Sequence, residues 1–121
     1  MAKILIIDDD IETIKLLETM VQLEGHQISS IQESRDAIHT VETFMPDLVL
    51  LDIMMPEING IGVCKLIKSK PGTRHIKVVM VSALSDDGTK RDSFNAGADH
   101  FVSKPILPNV FMEQITAILK G

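Results

Sequence analysis

Acidic side chains follow two of the short apolar runs in this 121-residue chain. Asp8, Asp9 and Asp10 are consecutive, and Asp52 follows the second of these runs. Two carboxylates about 4 Å apart repel by roughly 4 kcal/mol at an effective dielectric constant of 20, a large part of a domain's stability of about 5–15 kcal/mol. If the fold brings these aspartates together they need a cation, and a site built from oxygen ligands suits Mg²⁺.

A hydroxyl and an ammonium group end two further apolar runs, at Ser82 and Lys104. The Lys104 ammonium cannot ligate a metal, but it can pair with Asp52 in an empty site and with an anionic ligand in a filled one. The Ser82 hydroxyl can donate a hydrogen bond to the same anion. Phosphoryl transfer uses these groups. A metal, a lysine and a hydroxyl bind the anion, and a carboxylate accepts it.

Short apolar runs alternate with segments of helical periodicity along the whole chain. The predicted strands cover residues 4–7, 27–31, 48–51, 78–81 and 101–102. Predicted helices begin at residues 11, 60, 87 and 108, with the one from 60 ending at 69 and the one from 87 at 96, and a further helix, the second along the chain, follows Ser34. Asp10 and Ser34 are predicted to cap the first two helices, and Gly25 and Gly97 to end the first and fourth.

This alternation predicts an α/β fold, (βα)5, in which helices cover both faces of a doubly wound, five-stranded parallel sheet. The continuous apolar runs at 4–7, 48–51 and 78–81 suit central strands, because both faces of a central strand are buried. Right-handed crossovers then favour the flavodoxin-like strand order 2-1-3-4-5. The ligand site of such a sheet lies beyond the carboxyl ends of strands 1 and 3, where the aspartates occur.

The composition predicts a single cytoplasmic domain covering residues 1–121. Hydrophobic residues make up 45% of the chain, which argues against disorder. No apolar run approaches the length of a membrane span. Twelve basic and 17 acidic side chains give a net charge of −5, and Trp and Tyr are absent, so direct nucleic-acid binding is disfavoured. The single cysteine, Cys64, fits a reducing compartment and is predicted to be a packing residue.

Five short segments contain the candidate residues and their neighbours. They are ILIIDDD at 4–10, LLDIMMP at 50–56, NG at 59–60, VSA at 81–83 and GADHFVSKP at 97–105. In order and spacing these segments resemble the receiver (CheY-like) domains of two-component response regulators. The resemblance covers essentially the whole chain and implies the CheY-like fold and a phosphoacceptor signalling function.

The resemblance also implies a role for each acidic residue. Asp52 is the implied phosphoacceptor, which takes a phosphoryl group from a partner histidine kinase or histidine phosphotransfer protein. The implied cofactor is Mg²⁺, bound directly by Asp9 and Asp52. The backbone carbonyl of Met54 is the implied third ligand, and Asp8 holds the metal through water.

Ser82 and Lys104 are implied to bind phosphoryl oxygens. Phe101 is implied to be a switch that follows Ser82 inward on phosphorylation, and the Lys104–Pro105 bond resembles the family's cis peptide. Signal output is then expected on the face formed by helix 4, strand 5 and helix 5. A downstream protein target or a fused output domain would contact this face.

This output face is predicted to be polar, without a large apolar patch. Its predicted members are Lys90, Arg91, Asp92, Asp99, His100 and Glu113. Many DNA-binding response regulators dimerise there through a charged pattern, which fits poorly here, because Asn95 stands where that class usually has an acid and helix 5 lacks arginine. We therefore expect a hetero-partner in preference to a symmetric homodimer.

Two other functions remain open. A degenerate receiver could act as a phosphorylation-independent adaptor, although every acid, hydroxyl and lysine position is filled. An aspartyl-nucleophile phosphatase would have the sequence pattern Asp-x-Asp. Here Met54 stands at the second position after Asp52, and it cannot act as a general acid. We expect a signalling domain that catalyses only its own phosphorylation and dephosphorylation. The sequence leaves open whether it stands alone or belongs to a longer regulator.

Overall fold

Strands and helices alternate along the chain in the computed structural model, which describes residues 1–121. The strands are β1 (Lys3–Ile7), β2 (Gln27–Ile31), β3 (Leu48–Leu51), β4 (Lys77–Ser82) and β5 (His100–Ser103). The helices are α1 (Ile11–Leu23), α2 (Ala37–Phe44), α3 (Gly60–Ser69), α4 (Asp87–Asn95) and α5 (Pro108–Lys120), and a 3₁₀ turn (Ser34–Asp36) precedes α2. None of these helices has the length and apolar content needed to cross a lipid bilayer.

The five strands form one parallel sheet in the order β2-β1-β3-β4-β5, which confirms the predicted fold class and strand order. The apolar residues of β1, β3 and β4 are buried, while β2 and β5 lie at the edges and are partly exposed. Central strands pack against helices on both faces, so an uninterrupted apolar run identifies them in advance.

The core consists of one apolar layer on each face of the sheet. In β1, Leu5 and Ile7 belong to the layer that includes side chains of α2 and α3, while Ile4 and Ile6 belong to the layer that includes α1 and α5. This alternation follows from the two-residue period of a strand. Cys64 is fully buried in the first layer, as predicted, and burial raises the pKa of its thiol to about 11.

The ends of α1 are as predicted. The Asp10 carboxylate caps the helix by accepting hydrogen bonds from the Glu12 amide (3.3 Å) and the Thr13 hydroxyl (2.7 Å). These bonds, the Thr13 hydroxyl foremost, lower the pKa of Asp10. Beyond the helix, Gly25 has φ of 81°, a conformation that favours glycine.

Ser34, in contrast, does not cap the second helix, so that prediction is wrong. The α-helix begins at Ala37, after the 3₁₀ turn, and neither element has a side-chain cap. The Ser34 hydroxyl instead donates a hydrogen bond to the Pro56 carbonyl and accepts one from the Ile58 amide, both in the loop between β3 and α3. The Ser34 hydroxyl therefore bonds to a loop that is distant in the sequence, and not to the first turn of the helix that follows it.

Candidate functional site

The sheet places Asp8 and Asp52 side by side. The last residues of β1 and β3, Ile7 and Leu51, are paired across the two strands, so the next residue of each chain segment leaves the sheet at the same level. The Asp52 amide donates a hydrogen bond to the Ile7 carbonyl (2.9 Å), which fixes the start of the loop after β3. The predicted juxtaposition of these two carboxylates is therefore present.

Three carboxylates form a cluster that has the composition of a hard-metal site. One oxygen from each of Asp8, Asp9 and Asp52 lies within 4.8 Å of the others. Asp8 is 1% exposed and Asp52 is 6% exposed, while Asp9 is exposed to solvent. All the donor atoms are oxygens, and one edge of the cluster is open to water, so the residues present fit Mg²⁺ with its retained water ligands.

Lys104 partly neutralises this cluster. Its ammonium donates a hydrogen bond to Asp8 Oδ2 (3.1 Å) and lies 3.9 Å from Asp52 Oδ1. The predicted ion pair with Asp52 is present, but the shorter contact is with Asp8, which the sequence did not indicate. The other Asp8 oxygen accepts from the Asp10 amide (2.9 Å), so Asp8 is held from two sides.

The Asp52 carboxyl is destabilised in its charged form. Burial raises its pKa from 3.8 to about 6, repulsion by Asp8 acts in the same direction, and attraction to Lys104 opposes both. Asp52 Oδ1 also accepts a hydrogen bond from the Ile53 amide (2.9 Å). A bound cation would offset the unfavourable interactions, since it stabilises the charged form directly.

Ser82 ends β4 and Lys104 directly follows β5, in the register that pairs Ser82 with Ser103. Ser82 is fully buried, and its oxygen accepts a hydrogen bond from the Leu84 amide (3.1 Å), which leaves the hydroxyl hydrogen available for an anion. The Lys104 amide donates to the Ser82 carbonyl (2.9 Å). The Lys104–Pro105 peptide bond is cis, as predicted.

Met54 lies in the loop between β3 and α3. Met54 is 60% exposed, whereas Met55 is buried. The neighbouring Ile53 carbonyl accepts hydrogen bonds from the Met55 and Gly60 amides (3.1 and 2.8 Å), but the Met54 carbonyl accepts none from the backbone. That carbonyl oxygen is therefore free to act as a ligand.

Phe101 is half-buried in β5 and packs against the layer of the core that contains α2 and α3. The Lys90 ammonium, from α4, lies 5.8 Å from the centre of its ring. At this distance the cation and the ring attract each other. The position between core and surface fits a side chain that changes place, and the switching role itself stays a prediction.

The output face differs in two ways from its predicted composition. The Asp99 carboxylate accepts hydrogen bonds from the Lys68 ammonium (3.0 Å) and the Val78 amide (2.8 Å), so it serves the fold. Apolar side chains are also exposed on this side of the molecule, on α4, just before α5 and in the first turn of α5. They are Phe94, Leu107 and Val110.

Comparison with known proteins identifies the family. A family model for the response regulator receiver domain matches residues 4–116. The chain is 37% identical over 105 residues to the response regulator PleD of Caulobacter vibrioides, covering 87% of this chain and 23% of PleD. It is 32% identical over 118 residues to the DNA-binding response regulator MtrA of Mycolicibacterium paratuberculosis, covering 98% of this chain and 51% of MtrA. The chain thus spans about half or less of the length of these relatives.

A solved two-component response regulator from Clostridium difficile has the same fold. It superimposes with a TM-score of 0.93 at 26% sequence identity, over 99% of this chain and 97% of that one. Sequence and structure therefore agree over nearly all of the chain. The chain belongs to the response regulator receiver domain family.

Proposed function

We propose that this domain accepts a phosphoryl group on Asp52, in a reaction that requires Mg²⁺. The observation that carries the proposal is the buried Asp52 carboxylate, which lies 3.9 Å from the Lys104 ammonium and within 4.8 Å of two other carboxylates. The pKa of Asp52 is about 6, so the nucleophilic carboxylate predominates at neutral pH even without metal. Asp9, Asp52 and the Met54 carbonyl would hold the ion, with Asp8 acting through water.

The transfer joins one Asp52 oxygen to the phosphorus of the donor. For a phosphohistidine donor, the phosphorus–nitrogen bond breaks and the imidazole leaves with its electron pair and takes up a proton. Lys104 and Ser82 would bind the oxygens of the incoming group, where negative charge accumulates. The metal supplies further positive charge for these oxygens.

The proposed partners follow from the family. Response regulators work with histidine kinases or histidine phosphotransfer proteins, and we propose one of these as the phosphoryl donor. A downstream protein or an output domain would read the phosphorylated state, in the cytoplasm. The free, buried Cys64 agrees with a reducing compartment. No contact of the site favours the phosphorylation-independent adaptor or the phosphatase.

The direct test is phosphorylation by a small donor. With acetyl phosphate and Mg²⁺, intact-mass analysis should show one added phosphoryl group on the wild-type chain and none on Asp52→Ala. The other carboxylate beside Lys104, that of Asp8, has both oxygens in hydrogen bonds, to the Lys104 ammonium and the Asp10 amide, whereas Asp52 uses only Oδ1. Chelation of the metal with EDTA should also abolish labelling. Asp92→Ala, which removes an exposed carboxylate on α4, is the control and should be labelled like the wild type. Equal labelling of Asp52→Ala would disprove the assignment.

We further infer that phosphorylation acts on the face of α4, β5 and α5. A phosphoryl group adds roughly −1.5 to −2 charges beside Asp52. Ser82 moves toward it and vacates space for the Phe101 ring, which then leaves the Lys90 ammonium. A Phe101 ring has no hydroxyl to present, so the change at the surface is steric.

Light scattering with and without beryllium fluoride, an acyl-phosphate mimic, tests which partner this face binds. We expect the chain to keep its mass when the mimic is added, because the face lacks the charged pattern of a symmetric dimer. A dimer that forms only with the mimic, and that Lys90→Glu disrupts, would contradict this expectation. Asp99 is unsuitable for such a test, because its contacts with Lys68 and Val78 belong to the fold.

A further inference from the structure

The hydroxyl of Ser34 joins two loops that lie far apart in the sequence. Ser34 is 5% exposed, and its hydroxyl donates a hydrogen bond to the Pro56 carbonyl (2.8 Å) and accepts one from the Ile58 amide (3.2 Å). Both bonds are directed at segment 56–58, in the loop between β3 and α3. A single side chain therefore holds both ends of this short segment.

Segment 56–58 is a tight turn with an unfavourable backbone. The Ile58 amide also donates to the Pro56 carbonyl (2.9 Å), which closes a γ-turn around Glu57. Glu57 has φ of 69°, where residues other than glycine are uncommon. A γ-turn with positive φ is the rare and strained form, and strained turns persist only where their surroundings hold them. Arg35 adds a weak, exposed contact to the Glu57 carboxylate (4.0 Å), so Ser34 provides the main hold.

The same loop carries Met54 between two anchored points. On one side, the Ile53 carbonyl accepts hydrogen bonds from two amides, one of which is that of Gly60 at the start of α3. On the other side, Ser34 holds segment 56–58. The position of the Met54 carbonyl therefore depends on both anchors, and only one of them lies within the loop itself.

We propose that Ser34 is a positioning residue for the metal site. It touches neither the metal nor the phosphoryl group, and it acts by fixing the loop that presents the Met54 carbonyl. The inference rests on the proposed function, in which that carbonyl is a Mg²⁺ ligand. Loss of a group that orients a metal ligand typically weakens metal binding by about 10–100-fold. Because Ser34 acts through the loop backbone, we expect the lower value, about tenfold.

Backbone amide chemical shifts, followed during Mg²⁺ titration of the full chain, test the proposal without any phosphorylation. Ser34→Ala should raise the Kd for Mg²⁺ about tenfold, whereas Ser34→Thr, which keeps the hydroxyl, should restore binding. Thr73→Ala is the matched control, since the Thr73 hydroxyl is buried and donates to the Ile67 carbonyl (2.7 Å) at the far end of α3. It loses a similar bond and should bind Mg²⁺ like the wild type.

A second pair of variants separates loop position from folding. Glu57→Gly removes the strain of a positive φ, since glycine adopts this conformation readily, and should bind Mg²⁺ like the wild type while Ser34 is present. Ser34→Ala combined with Glu57→Gly should fold, as circular dichroism in EDTA would show, yet bind Mg²⁺ weakly.

The outcomes distinguish the two proposals. A folded Ser34→Ala variant, or a folded double variant, that binds Mg²⁺ as tightly as the wild type would overturn the positioning role and leave the proposed function intact. A wild-type chain that binds no Mg²⁺ would overturn the proposed function and the positioning role together. An equal loss of affinity in Thr73→Ala would show that the effect is one of general stability and would also overturn the positioning role.

Discussion

Replacement of Gly60 by alanine is expected to lower the free energy of unfolding by about 3 kcal/mol or more. Gly60 is the first residue of α3, and the helix meets the end of β3 there without a side chain between them. An added Cβ would overlap the Asp52 carbonyl oxygen and would lie 2.8 Å from the Asp52 carbonyl carbon and 2.9 Å from the Ile53 Cα. These are backbone atoms, so no side-chain rotation relieves the contact, and α3 must move away from the site.

Urea unfolding followed by circular dichroism measures this effect, since the chain has no Trp or Tyr for fluorescence. Gly72→Ala is the matched control: a Cβ there meets no atom within 4 Å and the backbone has no positive φ. It should be neutral or slightly stabilising, because alanine reduces the entropy of the unfolded chain. If Gly60→Ala and Gly72→Ala unfold at the same urea concentration, the close approach of α3 to Asp52 is not as described.

Asp52→Asn is expected to stabilise the metal-free protein by up to about 3 kcal/mol above pH 6, which is the free-energy equivalent of the rise in the pKa of this carboxyl. The pKa of Asp52 is about 6 in the folded chain, against 3.8 ordinarily, chiefly because the carboxyl is buried. The folded state therefore holds this proton at pH values where the unfolded chain has lost it, so the contribution of Asp52 to wild-type stability falls as the pH rises from about 4 to about 6. Asparagine does not titrate, so the variant escapes this loss.

Urea unfolding in EDTA at pH 4, 5, 6 and 7.5 gives the required comparison. The stability difference between Asp52→Asn and wild type should be small at pH 4 and should reach its full value above pH 6. Asp10→Asn is the control of opposite sign, because hydrogen bonds to the exposed Asp10 carboxylate lower its pKa, so this variant should show no such gain. Mg²⁺ should reduce the advantage of Asp52→Asn by stabilising the wild type. A difference that does not change with pH would contradict the account.

The sequence alone determined the fold and the edge of the sheet where the candidate site lies. Continuous apolar runs marked β1, β3 and β4 as central strands, and helical periodicity between them required parallel connections. Parallel strands end at one edge, so residues placed just after such runs had to meet there. Asp8, Asp52 and Ser82 could be assigned to one site for this reason, although they lie far apart along the chain.

Tertiary structure alone decided which of these groups contact each other and what holds the loops. Strand order specifies the edge at which a side chain lies, but not its partner, so the hydrogen bond of Lys104 with Asp8 could not be deduced. Ser34 was predicted to cap a helix, because serine commonly caps the helix that directly follows it. Its hydrogen-bond partners are instead Pro56 and Ile58, in the loop after β3. The close approach of Gly60 to Asp52 is a contact between backbone atoms. Hydrophobic periodicity is a pattern of side chains, so it could not reveal this contact. Local patterns determine which elements form, whereas contacts between distant loops depend on how those elements pack.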